Sequence, residues 1–257
     1  MIPGIVEHSR VRLGEGVDNV AWEINGEYVV RVGKGAVNPA EVAILRAVAE
    51  VSPLPVPVPV HADPEAGVLA YRKLPGVPLI DGPAVDPVRL APALGGFLTA
   101  IHGAPIGAER DDYPLSGLLE EAEESFAEVA PELPARARAR VEEFLGTAPP
   151  PAGEAVVFCH NDLGAEHLLV EAGAISGVID WGDAALTDPA RDFALLWRDL
   201  GPAAYARILE SYGGPAPEHA RVLFYARCSL LEDLVHGLST DRRYFEAGLA
   251  HLDWTFG

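Results

Sequence analysis

From residue 53 to residue 60 every second position is proline, in Pro53-Leu54-Pro55-Val56-Pro57-Val58-Pro59-Val60. Proline lacks an N–H and its ring fixes φ at about −65°, so this run cannot be helix and must be an extended connector. The chain reads differently on its two sides. Upstream, Val20-Ala21-Trp22-Glu23-Ile24 and Glu27-Tyr28-Val29-Val30-Arg31-Val32 flank Asn25-Gly26, the pair best suited to the φ > 0 positions of a two-residue hairpin. Gly14-Glu15-Gly16-Val17-Asp18-Asn19 reads as a glycine-rich turn between strands. Asn38 and Pro39 read as the cap and first position of a helix carrying Val42, Ile44, Leu45 and Val48. Strands are expected at Val58 to Ala62 and Val68 to Lys73, and Gly76 marks the crossing into a second part. There Leu90, Leu94, Phe97, Leu98 and Ile101 recur at helical spacing, and an acidic segment surrounds Leu118, Leu119 and Phe126. A helix carrying Arg136, Arg138 and Arg140 follows, and four helices are expected from Pro189 onward. The pattern predicts an α+β fold with two unequal lobes, β-rich over residues 1–74 and mainly helical over 75–257.

Composition narrows the function. The chain has 257 residues, 49% of them hydrophobic and 22% charged, which suits a packed core and excludes a disordered polymer. No run approaches the roughly 18 apolar residues of a membrane helix, and the first residues lack the basic start and apolar centre of a signal peptide. A cytoplasmic protein is expected, with Cys159 and Cys228 as buried thiols. A net charge of −19 repels phosphate backbones, so nucleic acid is not an expected partner, and part of the acid suits a polycationic small molecule.

The chemistry concentrates in His160-Asn161-Asp162, then His167-Leu168-Leu169, then Val178-Ile179-Asp180. This places one carboxylate on a loop and another at a strand end, the arrangement by which a kinase holds a hydroxyl beside a metal-bound nucleotide. One Asp accepts the proton of the attacking hydroxyl. A second acid and a neighbouring ligand hold Mg²⁺ against the phosphate oxygens. Upstream, the other parts occur in a kinase's order. Gly14 and Gly16 let backbone N–H groups approach phosphates, Arg31 on a hairpin strand can reach them, and Glu41 on the next helix can brace Arg31 by an ion pair.

With these residues the chain resembles the aminoglycoside phosphotransferases, small-molecule kinases that share the protein-kinase fold. The likeness is nearest to the 2''-phosphotransferases, in Gly14 to Asn19, Ile24-Asn25-Gly26-Glu27-Tyr28, Cys159-His160-Asn161-Asp162, His167-Leu168-Leu169, Ile179-Asp180-Trp181-Gly182-Asp183, Asp192-Phe193 and Leu231-Glu232. The resemblance implies a protein-kinase-like bilobal fold with Asp162 as catalytic base, and Asp180 and His167 as Mg²⁺ ligands. Gly14, Gly16, Asn19, Arg31, Glu41, Tyr71 and Lys73 would serve the nucleotide, GTP or ATP. His167 stands where the family commonly has Asn; since Mg²⁺ prefers oxygen, direct ligation and an indirect role both stay open. Arg31 replaces the usual Lys. A Tyr at position 71, beside the adenine pocket, goes in such enzymes with GTP preference. His160 would hold the loop through a backbone hydrogen bond. Asp199, Glu232 and Asp233, with the acids from Glu120 to Glu124, are candidates to bind a cationic acceptor. Arg198 occupies a place where an acid is expected from the near relatives, and a cation there would repel a polyamine, which counts against an aminoglycoside. A monomer or weak dimer is expected.

The motif pattern is specific for the superfamily and less so for the acceptor. An aminoglycoside leads; a macrolide, a peptide antibiotic or a choline-like metabolite suits the same two Asp residues, and a nucleotide-binding pseudokinase is the alternative outside catalysis. A metallohydrolase built on His160, Asp162, His167 and Asp180 would leave the glycine turn and β-rich first third without a role.

Overall fold

The computed structural model of the chain describes residues 2–15, 19–34, 39–240 and 242–257. Gly16 and the expected helix cap Asn38 lie outside the described residues. The N-terminal part is an antiparallel sheet of β1 (Arg10–Glu15), β2 (Asn19–Ile24), β3 (Tyr28–Gly33), β4 (Pro59–Asp63) and β5 (Val68–Arg72), in the order β1-β2-β3-β5-β4. Helix α1 (Pro39–Val51) links β3 to the proline connector. The β2–β3 hairpin turns at Asn25 (φ 57°) and Gly26 (φ 71°), as the Asn-Gly pair requires. The Asn25 side chain accepts from His8 N and Ser9 N and donates to Val6 O, which binds the preceding segment to the turn. Gly14 lies within β1, next to a register shift between Arg12 and Gly14, rather than in the turn.

The short strand β6 (Val77–Pro78) pairs not with this sheet but with β8 (Leu168–Glu171), which pairs on its other side with β9 (Ala174–Val178), in the C-terminal part. Helix α2 (Pro87–Gly103) starts on Asp86, whose carboxylate accepts from Val88 N at 3.0 Å, with Pro87 at the first position where no N–H is needed. Then come α3 (Leu115–Val129), α4 (Ala135–Leu145), β7 (Val157–Cys159), β10 (Ala185–Thr187), α5 (Ala190–Ser211), α6 (His219–Ser239) and α7 (Arg242–Thr255). The four helices expected after Pro189 are three among the described residues. Helix α5 breaks at Gly201 (φ 77°, ψ 175°), a left-handed conformation before Pro202, so its two halves read as separate helices in the sequence. No described helix is long and apolar enough to cross a membrane.

One apolar core runs through both parts. Ile44, Leu45, Val48 and Leu69 join Leu90, Leu94, Phe97, Phe158, Trp181 and Phe193 in a single cluster. A second core among α3, α4, α6 and α7 is built on Val129, Val141, Phe224, Leu231 and Phe245. Helices α2 and α5 cross closely at Gly95, where an added Cβ would lie 2.6 Å from Ile208 O and from Ser211 Cβ; at Gly96 it would meet nothing within 4 Å. Gly95→Ala is therefore expected to destabilise the protein by about 1–3 kcal/mol through overpacking. Gly96→Ala is expected to stabilise it by about 0.5–1 kcal/mol through backbone entropy and helix propensity. Urea unfolding of the two variants checks both signs.

Candidate active site

The loop between β7 and β8 carries His160, Asn161, Asp162 and His167, and its shape is imposed from below. Asp192, in the first turn of α5, is fully buried. It accepts from His160 N at 3.0 Å, from Asn161 N at 2.8 Å and from His102 Nε2–H of α2 at 3.0 Å. Burial alone would raise its pKa, yet the His102 hydrogen bond, the histidine charges and the Asn161 N–H hold it below the ordinary carboxylate value. His102 in turn lies 3.0 Å from the Tyr212 hydroxyl.

His160 is wholly buried, its Nε2–H donates to Ile179 O at 2.9 Å, and its Nδ1 accepts from Asp162 N at 3.3 Å. Burial pushes its pKa down to about 4, so the ring is neutral at neutral pH with both nitrogens engaged. It holds backbone and does not move protons. Trp181 packs on it with centroids 4.5 Å apart. Asn161 (φ 70°) and Asp180 (φ 61°) are both left-handed, a strain that concentrates at functional sites.

These constraints bring the expected residues into one line. Arg31 Nη1 meets Glu41 Oε1 at 2.5 Å, and its Nη2 reaches Asp180 Oδ1 at 3.5 Å. Asp180 Oδ2 faces His167 Nε2 at 3.8 Å. His167 Nδ1–H donates to Asp162 O at 2.8 Å and lies 3.3 Å from Asp162 Oδ2. The tautomer this imposes turns Nε2 toward Asp180. Burial opposes charge on His167, but Asp162, Glu166 and Asp180 outweigh it and raise its pKa. Burial also pushes Asp162 up to about 6, against the pull of His167. Tyr71 is buried on β5 within the electrostatic reach of Arg31, Asp180 and Glu41, its pKa pushed up to about 12 by burial. Lys73 pairs instead with Glu23 of β2 at 2.5 Å, away from this line, and Asn19 opens β2 opposite Gly33.

Beside Asp162 opens a cavity of about 640 Å³, lined by Glu121, Glu124 and Glu128 of α3, Glu166 of the loop, and Glu232 and Asp233 of α6. Arg191 and Arg198 also reach its wall. Glu232 and Asp233, expected to bind the acceptor, both line this cavity. Asp199 does not line this cavity: its side chain is 6% exposed and both its oxygens face the Arg198 guanidinium, at 2.6 and 3.0 Å. The expected repulsion by Arg198 is also corrected. Its side chain is 2% exposed and balanced by Asp199, Asp233 and Glu166, so it is no free cation. The motifs assign no role to Asp192, Glu166 or His102. The available signals were an Asp just after Pro189 and a Glu adjoining His167.

Residues 9–225 match the family model of the phosphotransferase enzyme family, and the chain belongs to that family. The resemblance to aminoglycoside phosphotransferases read from the motifs holds. Among relatives, viomycin phosphotransferase of Streptomyces vinaceus is 30% identical over 160 residues, 56% of this chain and 54% of that one. N-acetylmuramate/N-acetylglucosamine kinase of Caulobacter vibrioides is 30% identical over 198 residues, 67% of this chain and 54% of that one. The chain spans about half the length of these curated relatives. In structure it resembles the GDP and kanamycin complex of an aminoglycoside 2''-phosphotransferase, with TM-score 0.73 and 24% identity over 98% of this chain and 94% of that one. A macrolide 2'-phosphotransferase from Brachybacterium faecium gives TM-score 0.63 and 23% identity over 95% and 91%. The fold is the kinase-like one of these phosphotransferases.

Asp192→Ala would strand three buried donors at once. It is expected to destabilise the protein by about 3–5 kcal/mol, the scale for breaking a buried charged network. Thermal unfolding, with proteolysis of the 160–167 loop as a local readout, checks it.

Proposed function

We propose that this chain transfers the γ-phosphate of GTP or ATP to a hydroxyl of a cationic small molecule, with an aminoglycoside as the leading acceptor. The observation that carries this reading is the line Glu41–Arg31–Asp180–His167–Asp162, which runs from the β-rich part to the helical part and ends at the acid-lined cavity. Its two ends suit the two substrates. Arg31, held by Glu41 and Asp180, supplies positive charge for phosphate oxygens, and its planar fork can do so bidentately. Gly14, Asn19 and Tyr71, with Gly16, are proposed around the nucleotide; the bulk of Tyr71 favours GTP. For Lys73 the pairing with Glu23 argues an indirect role through the sheet.

In the transfer, the acceptor oxygen attacks the γ-phosphorus and the new O–P bond forms as the bond to the bridging oxygen breaks, releasing nucleoside diphosphate. Asp162 takes the hydroxyl proton. A carboxylate raised to about 6 is still ionised at neutral pH and is a stronger base than an ordinary Asp. Asp180 offers the oxygen donor a hard divalent cation prefers, and His167, its Nε2 3.8 Å from Asp180 Oδ2, would act there either as a direct ligand once deprotonated or through water. Mg²⁺ held there would neutralise the phosphate charge. Glu232 and the α3 glutamates would hold the acceptor's ammonium groups and fix one hydroxyl at Asp162.

A peptide-antibiotic acceptor is the second reading, supported by the similarity to viomycin phosphotransferase. Incubation with labelled GTP and ATP and a panel of kanamycin, gentamicin, viomycin and a macrolide separates the readings. Transfer to an aminoglycoside is expected, and its absence with transfer to viomycin would replace the first choice. Asp162→Ala should lower turnover by about two to four orders of magnitude with nucleotide affinity nearly unchanged; equal turnover would remove Asp162 as base. Asp180→Ala should abolish the Mg²⁺-dependent part of nucleotide affinity, read by titration calorimetry with and without the metal.

A further inference from the structure

Arg198 ends the first half of α5, three residues before the break at Gly201. Its position is held from behind, since Trp254 Nε1–H of α7 donates to Trp197 O at 3.2 Å and Arg198 O at 3.0 Å. The guanidinium faces three elements. It grips both oxygens of Asp199, reaches Asp233 Oδ2 of α6 at 2.7 Å, and lies 3.7 Å from Glu166 Oε1 of the active-site loop. Asp199 Oδ2 then accepts from Ala165 N at 2.7 Å, in the middle of the loop between Asp162 and His167. Gly164 leaves the room that the Glu166 carboxylate occupies; a Cβ there would collide with it.

We propose that Arg198 is a positioning residue for the transfer reaction, setting the backbone of the Asp162 loop through Asp199 and tying that loop to the acceptor face of α6 through Asp233. The inference rests on the phosphotransferase reading above and adds a role the motifs do not contain. Three carboxylates surround one guanidinium, so the cluster carries a surplus of negative charge when all are ionised. Asp233 and Glu166 line the acceptor cavity, whereas Asp199 does not. An acceptor ammonium arriving at Asp233 would supply positive charge on the cavity side, while Arg198 Nε and Nη2 keep their hold on Asp199.

Arg198→Lys keeps the charge but loses the fork that spans Asp199 and Asp233 together. Arg198→Met loses both. Hydrogen exchange of peptides covering residues 160–168, followed by mass spectrometry, reads the loop directly. Steady-state kinetics with kanamycin, viomycin, GTP and ATP reads the consequence. Faster exchange is expected in that loop in the order Met, Lys, wild type, with the α2 core unchanged. A displaced base costs up to about 100-fold in rate, so kcat should fall about 10-fold for Lys and about 100-fold for Met, with nucleotide KM within about twofold. Loop exchange and kcat of the Lys variant equal to wild type, or exchange raised evenly through α2, α5 and α7, would overturn the proposal. Wild-type inactivity on every acceptor would refute the phosphotransferase reading instead, and the exchange experiment would still decide whether Arg198 sets the loop.

Discussion

The site depends on one fully buried carboxylate. Asp192 sits where α5 begins, and the backbone amides of His160 and Asn161 converge on its two oxygens. An anion without water is tolerable only when such donors surround it, so the loop and the helix fix one another. Asn161 can then be left-handed and Asp162 is presented at the rim of the cavity. The same helix delivers Arg198 and Asp199 two turns later to the far side of that loop. One helix thus holds the loop at its start and again at Ala165.

Along the cleft, groups of opposite charge alternate. Arg31 stands between Glu41 and Asp180, and His167 between Asp162 and Asp180. In a partly buried cleft such interactions are stronger than at an open surface, where screening leaves little. The order of signs serves a phosphate at one end and a hydroxyl at the other. The −19 net charge has a local expression too, in the α3 and α6 acids facing across the cavity.

The helical part treats its cations in the opposite way. Arg198 and Arg191 are drawn into the wall: Arg191 pairs with Asp111 at 2.9 Å and stacks over Tyr225, and Arg198 is enclosed by carboxylates. Burial pushes Asp233 up to about 8, against the pull of Arg198 and with Glu166, Asp199 and Glu232 adding to the rise. The cavity therefore offers acids to a ligand while its own arginines stay occupied.

Several features were legible in the chain itself. Asn25-Gly26 defines its hairpin because only a few residues accept φ > 0, and the alternating prolines exclude helix wherever they occur. Asp162, His167 and Asp180 could be read because the loop and strand that carry them are short and local, so their spacing in sequence constrains their spacing in space. The pairing of Arg31 with Glu41 followed from element order alone. What Asp199 and Arg198 do could not be read this way, since their partners come from α6, α7 and the loop, far apart in sequence. Whether a carboxylate faces the cavity or a guanidinium is decided by how α5 packs against α6 and the loop. Sequence determined the local conformations and the kinds of chemistry available; only the packing of distant elements decided which charges meet each other and which remain for a substrate, because Coulomb and hydrogen-bond energies depend on distances that local pattern does not set.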